Sequence, residues 1–145
     1  MRKEEKGNKD VRALALNAAV RRQKKIKMAL SEELPIYRDT LKLLHETVQK
    51  LQDFPKFYRY TIGERMLNAN LDMMELIYEI NSSRNKLPYL QKFLARYQII
   101  VILYRLCVEK KIMTPAQYAH IALIIAKIGK QATGWKNSLD KTERR

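Results

Sequence analysis

Apolar positions recur along most of this chain in steps of three and four, the spacing that lines up side chains on one face of an α-helix. The pattern is clearest from Tyr118 through Ile121, Ile125, Ile128, Ala132 and Trp135 to Leu139. Thr114-Pro115-Ala116-Gln117 stands at its head. The Thr114 hydroxyl can accept from a free first-turn amide, Pro115 suits the first helical position, and Gln117 can reach back to the Thr114 amide. Those three features make a capping box and predict a well-started amphipathic helix.

The same periodicity predicts three earlier helices. The first starts near Pro35 and runs to about Asp53, with the stripe Tyr37, Leu41, Leu44, Val48, Leu51 facing the core. Phe54-Pro55-Lys56 breaks it, because proline removes a donor and restricts the residue before it. The second runs from Lys56 or Phe57 to Asn81 with Ile62, Met66, Ala69, Met73, Leu76 and Ile80 inward. After a loop at Asn81-Ser82-Ser83-Arg84-Asn85, the third spans roughly Lys86 to Lys110. Its main stripe is Leu87, Leu90, Leu94, Tyr97, Val101, Tyr104, Val108, and Phe93, Ile100, Leu103 and Leu106 form another. A helix apolar over so much of its circumference is deeply buried between neighbours or meets a second copy, and the sequence weighs these equally.

Four helices with short connections predict an all-α fold: an antiparallel up-down-up-down four-helix bundle over residues 34–138, with a C-terminal tail at 139–145. Residues 1–33 read as a basic N-terminal arm, flexible or partly helical, with an Ala- and Leu-rich stretch from Val11 to Ala19. Hydrophobic residues make up 46% of the chain, enough for a real core in 145 residues. Four Gly and four Pro suit a helical chain with few turns. No apolar run approaches the ~20 residues that span a bilayer, so no membrane partner is expected. The lone Cys107 cannot form an internal disulfide, which fits a cytoplasmic setting.

Charge adds the strongest hint of a partner. The net charge is +14, from 29 Lys and Arg against 15 Asp and Glu. Residues 1–30 hold ten basic and three acidic residues, so the arm is far denser in charge than the body. A surface this basic favours a polyanion, RNA or DNA before an anionic membrane. In the arm the candidates are Arg21, Arg22, Lys24, Lys25 and Lys27. In the body they are Lys56, Arg59, Arg65, Lys92, Arg96, Arg105, Lys127 and Lys130, off the core stripes or at their margins. Without a groove-reading motif, such helices suggest recognition of phosphate backbone or shape. Ordinary solvated surface remains the commoner role for any one of them.

Candidate chemistry is otherwise sparse. His45 and His120 are lone histidines without metal-ligand spacing, and His120 reads as a bundle-lining side chain. No Glu-x-x-His, P-loop, dinucleotide fingerprint or nucleophile elbow occurs. Cys107 reads as a buried, inert thiol. Neither catalysis, a metal nor a cofactor is expected.

Two motifs in order carry a resemblance: Phe54-Pro55-Lys56-Phe57-Tyr58-Arg59-Tyr60-Thr61-Ile62-Gly63 and Ile128-Gly129-Lys130-Gln131-Ala132-Thr133-Gly134-Trp135. With the helix lengths, they make the body from about Leu34 to Ser138 resemble the accessory variability determinant proteins of diversity-generating retroelements. That family is similar to small proteins encoded in intervening sequences of bacterial rRNA genes. The resemblance implies a non-enzymatic homopentameric barrel that binds nucleic acid and contacts a reverse transcriptase, supporting mutagenic cDNA synthesis from a structured template RNA. The alternatives are an rRNA-element protein or a protein scaffold with no polymerase partner. Gly63 and Gly134 are expected to permit close helix approach and Trp135 to anchor one bundle end.

Overall fold

The computed structural model describes residues 8–22 and 34–143, and every regular element among them is helical. Helix α1 covers residues 8–22. The body follows as α2 (Pro35–Leu51), α3 (Lys56–Tyr58), a π-helical turn (Arg59–Gly63), α4 (Glu64–Ser82), α5 (Leu87–Glu109) and α6 (Pro115–Glu143). Helix α2 packs on α4 and α6, and α5 packs on the same two, so the four long helices close a ring around one core. Helices α2 and α5 face each other across that ring, as do α4 and α6.

Both ends of the α5–α6 connection follow from local hydrogen bonding. The capping box forms: the Gln117 amide donates to Thr114 Oγ1 at 3.2 Å, and the Thr114 amide donates to Gln117 Oε1 at 3.0 Å. Helix α5 ends with Lys111 at φ 58°, the Lys111 amide donating to the Val108 carbonyl and the Ile112 amide to the Cys107 carbonyl. That paired arrangement is a Schellman motif, built here on a lysine where glycine is usual.

The core is formed by Leu43 from α2, Met66, Met73, Ile77 and Ile80 from α4, Leu90, Phe93, Ile100 and Cys107 from α5, and Ile121, Ile128 and Ala132 from α6. The α4 and α6 stripes match the sequence reading closely. The α2 stripe does not. Its buried face is Ile36, Thr40, Leu43 and Thr47, one position away from the expected line, and Val48 is exposed. The register turns with two threonines inside: the Thr47 hydroxyl meets polar partners there, while the Thr40 hydroxyl has none and only its backbone carbonyl is engaged. The Tyr104 and Thr47 hydroxyls hydrogen-bond to each other, the Thr47 hydroxyl lies 3.5 Å from Asn70 Oδ1, and Asn70 Nδ2 donates to the Thr40 carbonyl at 3.3 Å. This chain of donors joins α5, α2 and α4 through the interior and satisfies groups that would otherwise be costly to bury.

Close approach by glycine occurs at two positions, one of them expected. A Cβ on Gly63 would lie 2.5 Å from Leu51 Cδ2, so the bare backbone lets the π turn sit against the end of α2. Gly134 meets nothing within 4 Å, so the expectation of close packing fails there. Gly129 takes that role, with Tyr97 Cζ 2.8 Å from where its Cβ would stand. Trp135 is half-buried against the core.

Candidate nucleic-acid interface

The π turn places Arg59 differently from its neighbours. Its guanidinium reaches back over the end of α2 and donates to the carbonyls of Leu51, Gln52 and Phe54, at 3.2, 2.9 and 3.3 Å. The Leu51 and Gln52 carbonyls stand at the negative end of the α2 dipole, and only that of Leu51 has a backbone partner, the Phe54 amide, so a cation there is favourable. Arg59 thus has a structural task while remaining exposed. Lys56 and Arg65, nearby in sequence, are exposed and make no ion pair with any described residue.

On α5, Arg96 Nε lies 3.2 Å from Asp72 Oδ2 of α4. Lys92, one turn earlier, stands 5.8 Å from the Tyr89 ring centroid. Both line a groove of about 380 Å³ whose other walls include Glu75 and Glu79. Carboxylates this close make the α4–α5 seam a poor place for a phosphate. Arg105, nine residues beyond Arg96, lies half a turn round the helix and is exposed.

The α2–α6 seam differs. Gln131 Nε2 donates to Asp39 Oδ2 at 2.6 Å, and His120 Nε2 lies 3.5 Å from Glu46 Oε1. His120 is therefore a half-exposed seam residue rather than the bundle-lining one expected. Lys127 falls between His120 and Gln131 on one face of α6, and Lys130 is three residues further along. Opposite, Lys42 lies between Asp39 and Glu46 on α2, with Arg38 one turn before it. Arg38, Lys42, Lys127 and Lys130 are all exposed, and none is ion-paired to a described residue. The seam's two carboxylates already have partners on α6, so these four cations face solvent.

The eight expected body cations therefore do not form one patch. Lys92 and Arg96 flank the α4–α5 seam, Lys127 flanks the opposite α2–α6 seam, and Arg59 caps α2. The sequence reading missed Arg38 and Lys42, whose charge was visible but whose placement depended on the true register of α2. In the arm, Arg21 and Arg22 end α1 and are exposed, while Lys24, Lys25 and Lys27 lie outside the described residues.

Among the described residues no cluster of His, Cys, Asp or Glu could hold a metal, and no helix is long and apolar enough to cross a membrane. Cys107 is buried 3.8 Å from Met66 Sδ, and burial pushes its thiol up to about 11. That keeps the nucleophilic thiolate scarce at neutral pH.

The described residues are helical around one apolar core, with a few buried hydroxyls and a cation-rich exterior. Residues 34–139 match the bAvd-like family model, and the chain belongs to that family. The match spans the body from the residue before α2 to near the end of α6. No curated protein matches the chain.

Proposed function

We propose that this protein is a non-enzymatic, nucleic-acid-binding accessory subunit of a retroelement reverse transcriptase, supporting mutagenic cDNA synthesis from a structured template RNA. The family membership supports the retroelement role. The observation that carries nucleic-acid binding is the row of unpaired cations along the α2–α6 seam, Arg38, Lys42, Lys127 and Lys130. Cations without carboxylate partners are free to neutralise phosphates, and the release of counterions condensed on the nucleic acid then favours association. Short links and the ring of helix packing support the up-down-up-down bundle as the scaffold of that face. Family resemblance supports a homopentamer and a cytoplasmic setting beside the polymerase.

The test is to pull the tagged full-length protein from its host with and without nuclease treatment. A reverse transcriptase that co-purifies after nuclease is the expected result. A polymerase lost with the nucleic acid, or RNA alone, would leave no direct accessory role and favour an rRNA-element-type binder.

A further inference from the structure

Helix α1 and one groove of the body present complementary surfaces that no described residue of the same chain covers. Every residue from 8 to 22 is exposed, including Val11 at 63%, Leu14 at 69% and Leu16 at 66%. Val11, Leu14, Ala15 and Ala18 fall at i, i+3, i+4 and i+7, one apolar face; Ala13, Leu16 and Val20 form another on the far side. A lone helix of this length is marginal in water and draws its stability from packing. One groove can cover only one of those faces, so the helix is best served lying between two bodies.

The groove runs between the C-terminal end of α2 and the π turn and start of α4. It has a volume of about 500 Å³, a floor of Leu51 and Leu67, and walls that include Val48 and Tyr60, with Arg59 and Glu64 at its rim. Val48 is 46% exposed and Tyr60 62%, although both are large and apolar. Leu71, 42% exposed, continues the line along α4. From Tyr60 to Leu71 a helix rises ~16 Å, and α1 is ~22 Å long, so the lengths suit each other. Charge agrees as well: α1 carries Lys9, Arg12, Arg21 and Arg22 against Asp10. Glu64 at the groove's rim has no ion pair among the described residues.

We propose that α1 of one copy docks by its Val11–Leu14–Ala15–Ala18 face in the α2–α4 groove of a second copy, joining the subunits by exchange of their N-terminal helices. This docking is separate from the α2–α6 cations and holds whether or not they bind nucleic acid.

Mixing two full-length, nuclease-treated single variants tests it. Leu14→Cys in one chain and Val48→Cys in a size-tagged second chain should give a covalent heterodimer under mild oxidation, since a disulfide needs the two Cα atoms within ~7 Å. Leu123→Cys, 68% exposed on α6, is the control in place of Val48→Cys and should cross-link at least tenfold less. All three substitutions are at exposed positions, and unchanged helical circular dichroism confirms folding. Equal yields from Val48→Cys and Leu123→Cys, or no cross-link, would overturn the proposal. So would a chain bearing both Leu14→Cys and Val48→Cys that links only within itself. Protection of Val48→Cys from a maleimide by added RNA, without cross-linking, would assign the groove to nucleic acid instead.

Discussion

The Tyr104 phenol on α5 meets the Thr47 hydroxyl on α2, a hydrogen bond between the two helices that face each other across the ring. Both residues are fully buried, and the bond extends through Asn70 to the Thr40 carbonyl. A polar link at the centre of an apolar core favours this rotation of α2, because turning α2 away would leave the buried Tyr104 hydroxyl without its Thr47 partner.

Removing one partner should therefore cost more than removing both. Thr47→Val leaves the Tyr104 hydroxyl unpaired and Tyr104→Phe leaves the Thr47 hydroxyl only its 3.5 Å contact with Asn70, so each alone is expected to lower stability by about 1–3 kcal/mol. The double variant should lose less than the sum, read by a denaturant double-mutant cycle. Additive losses would mean the two hydroxyls are independent. Thr40→Val should be neutral or stabilising, because the Thr40 hydroxyl is buried without a partner.

The two glycines of α6 should respond oppositely. Gly129→Ala is expected to push the Tyr97 ring, whose hydroxyl donates to the Ile125 carbonyl at 3.0 Å, and to destabilise by about 1–3 kcal/mol. Gly134→Ala adds a methyl to open space in a helix interior and should stabilise by about 0.5–1 kcal/mol. Thermal melts of the two variants read the sign directly.

Alkaline pH should weaken the fold in a window set by the core thiol. The Cys107 pKa rises from 9.0 to about 11 because burial disfavours the thiolate. Below pH 9 both folded and unfolded thiols stay protonated and the contribution is whole. As pH rises towards 11 the unfolded thiol ionises while the folded one does not, so stability falls. Burial also raises Tyr104 and Tyr97, which prolongs the decline above pH 10. Melting temperatures should drop from pH 9 upward, and Cys107→Ala should flatten the lower part of that drop. An unchanged slope in Cys107→Ala would contradict this origin.

Arg59→Ala should destabilise by about 1 kcal/mol, because the three carbonyls at the end of α2 then have no guanidinium donor. Its effect on nucleic-acid affinity should be smaller than that of Lys127→Glu. Urea unfolding and RNA binding of the same variant separate the two roles.

How far the sequence could be read depended on which residues were asked to be apolar. The start and core stripe of α6 were legible, because its capping box and its Ile121–Ile128–Ala132 line are local signals, whereas its run to Glu143 and the open space at Gly134 were not. Helix α2 was misread by one position: Tyr37, Leu41, Leu44 and Val48 make a cleaner hydrophobic line than Ile36, Thr40, Leu43 and Thr47. Only Tyr104, distant in sequence, makes Thr47 suitable for burial, and Thr40 goes inside with its hydroxyl unpartnered. The π turn at Arg59–Gly63 carries no propensity signal, and without it the carbonyl-binding role of Arg59 was invisible. Cations were easy to count, but their carboxylate neighbours depend on helix packing. That is why Arg96 beside Asp72 and unpaired Lys127 looked alike.

The central claim is that free cations along the α2–α6 seam bind nucleic-acid backbone, and a salt titration of affinity for a structured RNA tests it most directly. Log affinity should fall steeply and linearly with log salt for the wild type. In Lys127→Glu/Lys130→Glu, and again in Lys42→Glu, the slope should shrink by roughly 1 for each phosphate no longer neutralised, with unchanged melting temperature. A flat salt dependence, or a slope unaltered by these reversals, would contradict the account.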